Sequence, residues 1–301
     1  MKLPFGSLSY EPTLKTVCCL FASTMMFLFL GLPAQAMRHV CGTDSVEMLE
    51  YDWCIDYDER GRNPDVLYYL HGVGRTPSDW QSNSENIAIQ KEWQKRQVAP
   101  PTVISVSFGR AWLFSDLAGF FRPAYYPSFV NVIMRTMEAK IGGVRGRRLL
   151  KGESMGGFNA SQLYLKSGQY FDRVALVCPA IPTIGPFASS EESDAFVARN
   201  LGFVDWKLIF GFKFWTFQAF PSQEIWAMHN PLVLAKRLNR HSPPLYVSAG
   251  LRDEFGFFEG AAKLVKIARA RGVKVTWVPL PVGHCANDPK TLAEFLAPLK
   301  K

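Results

Sequence analysis

Short, nearly continuous apolar runs alternate along this chain with longer segments whose apolar residues recur at helical spacing. The runs cover residues 66–70, 103–108, 174–177, 245–249 and 273–278, and Arg148-Leu149-Leu150-Lys151 adds another. Runs of this length that are apolar on both alternating positions predict strands covered on both faces. Residues 46–55 read as an early strand pair, and the polar, Gly- and Pro-containing stretch 56–65 as the turn that follows. Helices are predicted from Thr76-Pro77-Ser78-Asp79-Trp80 to about Gln97, and over residues 128–141, 158–168 and 291–299. Strands alternating with helices make an α/β fold with a mainly parallel central sheet flanked by helices.

The rhythm breaks once. Between Pro179 and His241 no strand run occurs, and residues 183–240 read as an insertion that precedes the strand 245–249. It is rich in aromatics, including Phe203, Trp206, Phe210, Phe214, Trp215, Phe217 and Phe220. A stripe at helical spacing usually packs into a core. So many large apolar side chains could also form a lid over a binding site, with Trp206, Phe210, Phe214 and Trp215 as candidate substrate contacts.

At the N-terminus, residues 16–32 are apolar and uncharged, follow Lys2 and Lys15, and lead to Pro33-Ala34-Gln35-Ala36. A basic start, an apolar stretch and an Ala-x-Ala site read as a signal peptide over residues 1–36. The alternative is a retained membrane anchor. Either way the remaining domain, residues 37–301, is expected outside the cytoplasm, secreted or in a periplasm or cell envelope. It keeps Cys41, Cys54, Cys178 and Cys285, an even set in an oxidising compartment. Cys41 with Cys54 is the expected pair, while Cys178 could instead be a buried small hydrophobe.

The net charge of +8 falls to +7 once Lys2, Glu11 and Lys15 leave with the leader. It is dispersed in short clusters such as Arg145-Gly146-Arg147-Arg148, which reads as a solvated surface and not a nucleic-acid groove. No Cys-x-x-Cys or histidine-rich spacing points to a metal, and no cofactor is expected.

The chemistry is concentrated in Gly152-Glu153-Ser154-Met155-Gly156-Gly157. A serine hydroxyl needs a base to take its proton and donors to stabilise the oxyanion it generates. Gly-x-Ser-x-Gly supplies a sharp turn that exposes the hydroxyl, and here a strand run precedes it and a helical pattern follows. His71-Gly72-Val73-Gly74 ends an earlier strand, where a second backbone donor belongs, so the N–H groups of Met155 and of Val73 or Gly74 are the candidate oxyanion hole. Downstream, Asp253 follows Gly250 at one strand end and His284 follows Gly283 at the next, giving the order Ser154, Asp253, His284. Glu254 and Glu259 are competing acids. His71 is expected to fix its loop, and His39, His229 and His241 to lie on the surface.

With these residues assembled, the chain resembles the esterase D-like branch of the α/β-hydrolase superfamily, which includes feruloyl esterases, S-formylglutathione hydrolases and bacterial mycolyltransferases. The likeness rests on Tyr69-Leu70-His71-Gly72, the Ser154 turn, Gly250 to Asp253, Gly283-His284 and Asn230-Pro231-Leu232-Val233-Leu234-Ala235, and spans about residues 46–299. It implies a cofactor-free carboxylic ester hydrolase working through an acyl-enzyme, or an acyltransferase to a sugar or lipid with the same triad. A non-catalytic relative that binds a partner through the insertion is the third reading. Glu153 departs from the histidine or tyrosine often found before the serine, and the insertion is not a general feature. The expected partner is a small-molecule, lipid or aryl ester, with peripheral membrane contact through the insertion as a further expectation.

Overall fold

A computed structural model describes residues 37–117, 124–200 and 202–297, so the expected leader lies outside the described residues. Eight strands form one sheet in the order β1-β2-β4-β3-β5-β6-β7-β8. They are β1 (Arg38–Val46), β2 (Leu49–Tyr57), β3 (Val66–Leu70), β4 (Thr102–Ser107), β5 (Arg148–Glu153), β6 (Arg173–Val177), β7 (Leu245–Gly250) and β8 (Val275–Leu280). All pairings from β4 to β8 are parallel, and β1 and β2 add an antiparallel edge. The early strand pair thus begins sooner than the apolar pattern indicates, because β1 is an edge strand with mostly exposed side chains.

The apolar runs are the buried central strands, as the pattern predicts, except for 273–278, which becomes the half-buried edge strand β8. Their residues alternate between two cores because strand side chains alternate faces. Tyr68, Leu70, Leu150 and Leu176 belong to one core, and Leu67, Tyr69, Leu149 and Val177 to the other. The second core is closed by α1 (Ser84–Lys95) and a C-terminal helix, Pro289–Leu296, where Trp93 Nε1 donates to the Ala293 carbonyl at 2.9 Å. Asn83 breaks the predicted helix that begins near Thr76: it is extended and caps α1 by accepting from the Glu85 N–H at 2.8 Å. The first core is covered by α2 (Met134–Lys140), α3 (Met155–Ser167) and a helix, Phe257–Ala270, after β7.

The insertion contains no strand among the described residues. It supplies α4 (Ser190–Arg199), α5 (Trp206–Ala219) and α6 (Gln223–His229), so the helices Phe257–Ala270 and Pro289–Leu296 become α7 and α8. A capping box at Ser189 and Glu192 starts α4, and Asp205 starts α5 by accepting from the Lys207 N–H. One side of α5 is inward, with Ile209, Thr216 and Ala219 buried and the Phe212 ring edge-to-face with Phe257, centroids 5.1 Å apart. Of the aromatic stripe, Phe220 is fully buried in the first core, but most of the rest stays outside it. Phe203, Trp206, Phe210, Phe214 and Phe217 are each between 47% and 67% exposed. The central part of the repeat forms the helix, but α5 is apolar nearly all round, so periodicity alone does not select its buried side.

Two disulfides form, one of them the expected pair. Cys41 and Cys54 face each other across β1 and β2, and Cys178 pairs with Cys285. Cys178 is therefore not a lone buried hydrophobe. Two disulfides belong to an oxidising compartment. Among the described residues no helix is long and apolar enough to cross a membrane.

Candidate active site

The parallel strands bring their C-terminal ends to one edge of the sheet, and every residue of the predicted triad stands on a loop leaving that edge. Ser154 sits between β5 and α3 with φ 53° and ψ −114°, a backbone state that costs a non-glycine residue about 1–3 kcal/mol. Three main-chain hydrogen bonds hold it there: its N–H donates to Val177 O at 3.0 Å, and its carbonyl accepts from Phe158 and Ala180 at 3.0 and 2.9 Å. Glycine is required on both sides. A Cβ on Gly152 would lie 2.1 Å from the Gly156 carbonyl oxygen, and one on Gly156 only 2.0 Å from that of Leu70.

Ser154 Oγ lies 2.8 Å from His284 Nε2, and His284 Nδ1 lies 2.7 Å from Asp253 Oδ2. Asp253 is 2% exposed, and its other oxygen accepts the N–H groups of Phe255 and Phe257 at 2.9 and 3.4 Å. With Nδ1–H donating to the carboxylate, the Nε2 lone pair faces the serine. The rings of Phe255 and Phe257 flank the imidazole at 4.8 and 5.6 Å. Of the competing acids, Glu254 accepts the main-chain N–H of His284 at 2.8 Å, and Glu259 is engaged with Thr183 and Arg199. Neither reaches the imidazole nitrogens.

The loop after β3 runs beside the nucleophile, since a Cβ on Gly72 would stand 3.5 Å from Ser154 Cβ. The Gly74 N–H is committed to Arg110 O at 2.7 Å. Among the described residues the N–H groups of Val73 and Met155 have no acceptor, and Met155 opens α3, where free N–H groups and the helix dipole favour negative charge. His71 is fully buried and donates through Nδ1 to Gly72 O at 2.7 Å, and burial holds its pKa below the usual histidine value. It fixes the loop, as expected.

Beneath the site lies a buried polar network. Lys151 pairs with Glu153 and donates to Asn86 at 2.8 Å, and Tyr69 donates to Glu153 at 3.1 Å. Next to Asn86, Glu85 accepts from Asn287 of the loop after His284 at 2.7 Å. Burial, with the Glu153 carboxylate nearby, pushes Glu85 up to about 7. Glu153 is thereby a structural partner of Lys151 below the nucleophile. His229 is a correction: it is 1% exposed, donating to Ile225 O and accepting from the Asp116 N–H. His39 and His241 are at or near the surface.

Trp206, Phe210 and Phe214 line a groove of about 500 Å³ between α5 and α4, with Val197 and Pro186 opposite. Trp215 lies off that wall, since it is about 180° around the helix from Trp206 at 100° per residue. The aromatic side chains on the triad, Phe255 and Phe257, were not singled out by the sequence. Two groups of histidine and cysteine have donor atoms close enough for a cation, His39 with Cys41 and Cys54, and His284 with Cys178 and Cys285. In both the sulfurs are spent in disulfides, so neither offers a thiolate.

The chain can now be set against known proteins. Its fold is similar to that of an S-formylglutathione hydrolase from Agrobacterium tumefaciens, with 13% identity, a TM-score of 0.61, and coverage of 88% of this chain and 93% of that one. It is similar in the same degree to fungal esterases from Rhizomucor miehei, with 14% identity, a TM-score of 0.61, and coverage of 98% and 92%. A ferulic acid esterase gives 14% identity, a TM-score of 0.60, and coverage of 86% and 95%. No curated protein sequence matches the chain significantly. The family described as "Putative esterase" matches residues 53–278, and the chain accordingly belongs to that esterase family, as a serine carboxylic ester hydrolase with the α/β-hydrolase fold.

Proposed function

We propose that the protein is an exported serine esterase that cleaves carboxylic esters through Ser154, His284 and Asp253 and a covalent acyl-enzyme. The observation that carries this reading is the unbroken relay from Ser154 Oγ to His284 Nε2, at 2.8 Å, and from His284 Nδ1 to buried Asp253, at 2.7 Å. His284 takes the serine proton as Oγ attacks the ester carbonyl, and Asp253 stabilises the imidazolium that forms. The unengaged N–H groups of Met155 and Val73 receive the oxyanion. His284 then protonates the departing alcohol, and a water, deprotonated by the same imidazole, releases the acid.

The 1–36 segment is proposed to direct export and be removed, which agrees with the two disulfides of the remaining domain. We assign the apolar part of the ester to the insertion, because the Asp205 N–H at the start of α5 donates to Glu254 O at 2.9 Å and Phe212 meets Phe257 edge-to-face, and Phe257 in turn touches His284. Trp206, Phe210 and Phe214 then favour an acyl or aryl group. The same exposed aromatics suit peripheral contact with a lipid surface.

The test is Ser154→Ala. Hydrolysis of p-nitrophenyl esters is expected to fall at least about 10³-fold, and covalent labelling by a fluorophosphonate to vanish. A variant as active as the parent overturns the reading. Product analysis with competing alcohols separates hydrolysis from acyl transfer.

A further inference from the structure

His284 stands in the loop after β8, where it must present one ring nitrogen to Ser154 and the other to Asp253. The Asp253 carboxylate controls the ring, but an imidazole is also aimed by the backbone that carries it. That backbone has its own holder. The side chain of Glu254, the residue after Asp253, accepts the His284 N–H at 2.8 Å. Two neighbouring carboxylates thus grip one histidine at two points, Asp253 at the ring and Glu254 at the main chain.

The loop is shaped to let Glu254 reach. A Cβ on Gly283 would sit 3.0 Å from Glu254 Oε2, so a larger residue before His284 would crowd the carboxylate. A Cβ on Gly250 would fall 1.9 Å from Gly283 O, which brings the acid loop and the histidine loop into backbone contact. Arg252 N–H donates to Val282 O at 3.0 Å and secures the same junction. Among the described residues no lysine or arginine forms an ion pair with Glu254, so the bond to His284 is the engagement its carboxylate has. The main-chain carbonyl of Glu254 meanwhile accepts the N–H of Asp205, the residue that caps α5. One residue joins the catalytic histidine to the aromatic insertion.

We propose that Glu254 is a positioning residue for ester cleavage, fixing His284 through its main-chain N–H and tying that position to the start of α5. This rests on the esterase reading above. A charge-assisted bond to a carboxylate is stronger than a neutral one, and misplacement of a reacting group by about 1 Å can cost on the order of 10²-fold in rate.

The experiment compares Glu254→Ala and Glu254→Gln in the full chain. Neither substitution removes the main-chain carbonyl that holds Asp205, and the glutamine keeps an oxygen that can accept the His284 N–H. With a short soluble p-nitrophenyl ester, Glu254→Ala is expected to lower kcat by about 10²-fold with KM within about threefold, and Glu254→Gln to recover most of the loss. A second readout does not depend on turnover: the downfield proton resonance of the His284–Asp253 hydrogen bond, expected to broaden or vanish in Glu254→Ala and persist in Glu254→Gln. Glu254→Ala with kcat and resonance like the parent's overturns the proposal, as does Glu254→Gln no better than alanine. A parent that cleaves no ester and takes no fluorophosphonate would instead overturn the esterase reading, and the resonance would then decide the role of Glu254 by itself.

Discussion

Glu85 is a half-buried acid whose surroundings shift its titration. Its carboxyl titrates near 7 because it is desolvated and close to Glu153. A carboxyl whose folded pKa is raised binds more protons in the folded than in the unfolded chain between about 4.5 and 7, so its contribution to stability declines as pH rises through that window. Glu85→Gln removes the titration while keeping an acceptor for Asn287. The melting temperature of the variant relative to the parent is therefore expected to increase from pH 5 to pH 8, and a difference flat across that range would contradict it. At this scale Ser154, Asp253 and His284 could be singled out in the sequence because a strand end, a glycine turn and chain order mark each one. Glu254 as a holder of His284, and Phe255 and Phe257 as its walls, carried no such mark. Their roles depend on how two loops from different strands meet, and that meeting has no local pattern. His229 is buried for the same reason: Asp116, Gln162 and Phe220 close around it, two of them from distant parts of the chain.

Among the elements, the strands were the most legible, because apolar runs of four to six residues leave little choice once both faces must be covered. The edge strand β1 and the break at Asn83 were less so, each resting on exposure or on a single cap. α5 shows the limit of periodicity most clearly. Its stripe Trp206, Phe210, Phe214 and Phe217 has helical spacing, and yet it faces outward while Ile209, Phe212 and Thr216 face in. Since Phe210 and Phe214 are 67% and 54% exposed, replacing both by serine is expected to leave the melting temperature within about 2 °C of the parent. The same change should lower kcat/KM for long-chain or aryl esters by about tenfold or more while sparing acetate esters. Equal loss on both substrates would detach the groove from substrate recognition.

For the whole molecule, the sheet gathers the loops at one edge and the disulfides lock distant parts of the chain. Cys178–Cys285 closes a loop with a sequence separation of 107, which restricts the unfolded chain by about 4–5 kcal/mol in the chain-entropy view. It also joins the end of β6, whose Val177 holds the Ser154 N–H, to the residue after His284. A Cys178→Ser/Cys285→Ser protein is expected to melt about 10 °C lower and to lose esterase activity at temperatures where it remains folded. Replacing Cys41 and Cys54, which bridge the edge strand β1 to its neighbour β2 far from the triad in the sheet order, is expected to lower stability with activity retained. Parallel loss of activity in the two double variants would contradict the distinction.

The outward stripe of α5 also bears on how such a protein can diversify. The turn at Ser154 admits almost no change, with Gly152 and Gly156 each pressed against a carbonyl, whereas Trp206, Phe210 and Phe214 carry little of the core's packing. Heritable variation can accumulate along that helix at small cost to folding, so on the substrate role proposed for α5 one reaction would be offered to new esters by changing a surface outside the triad.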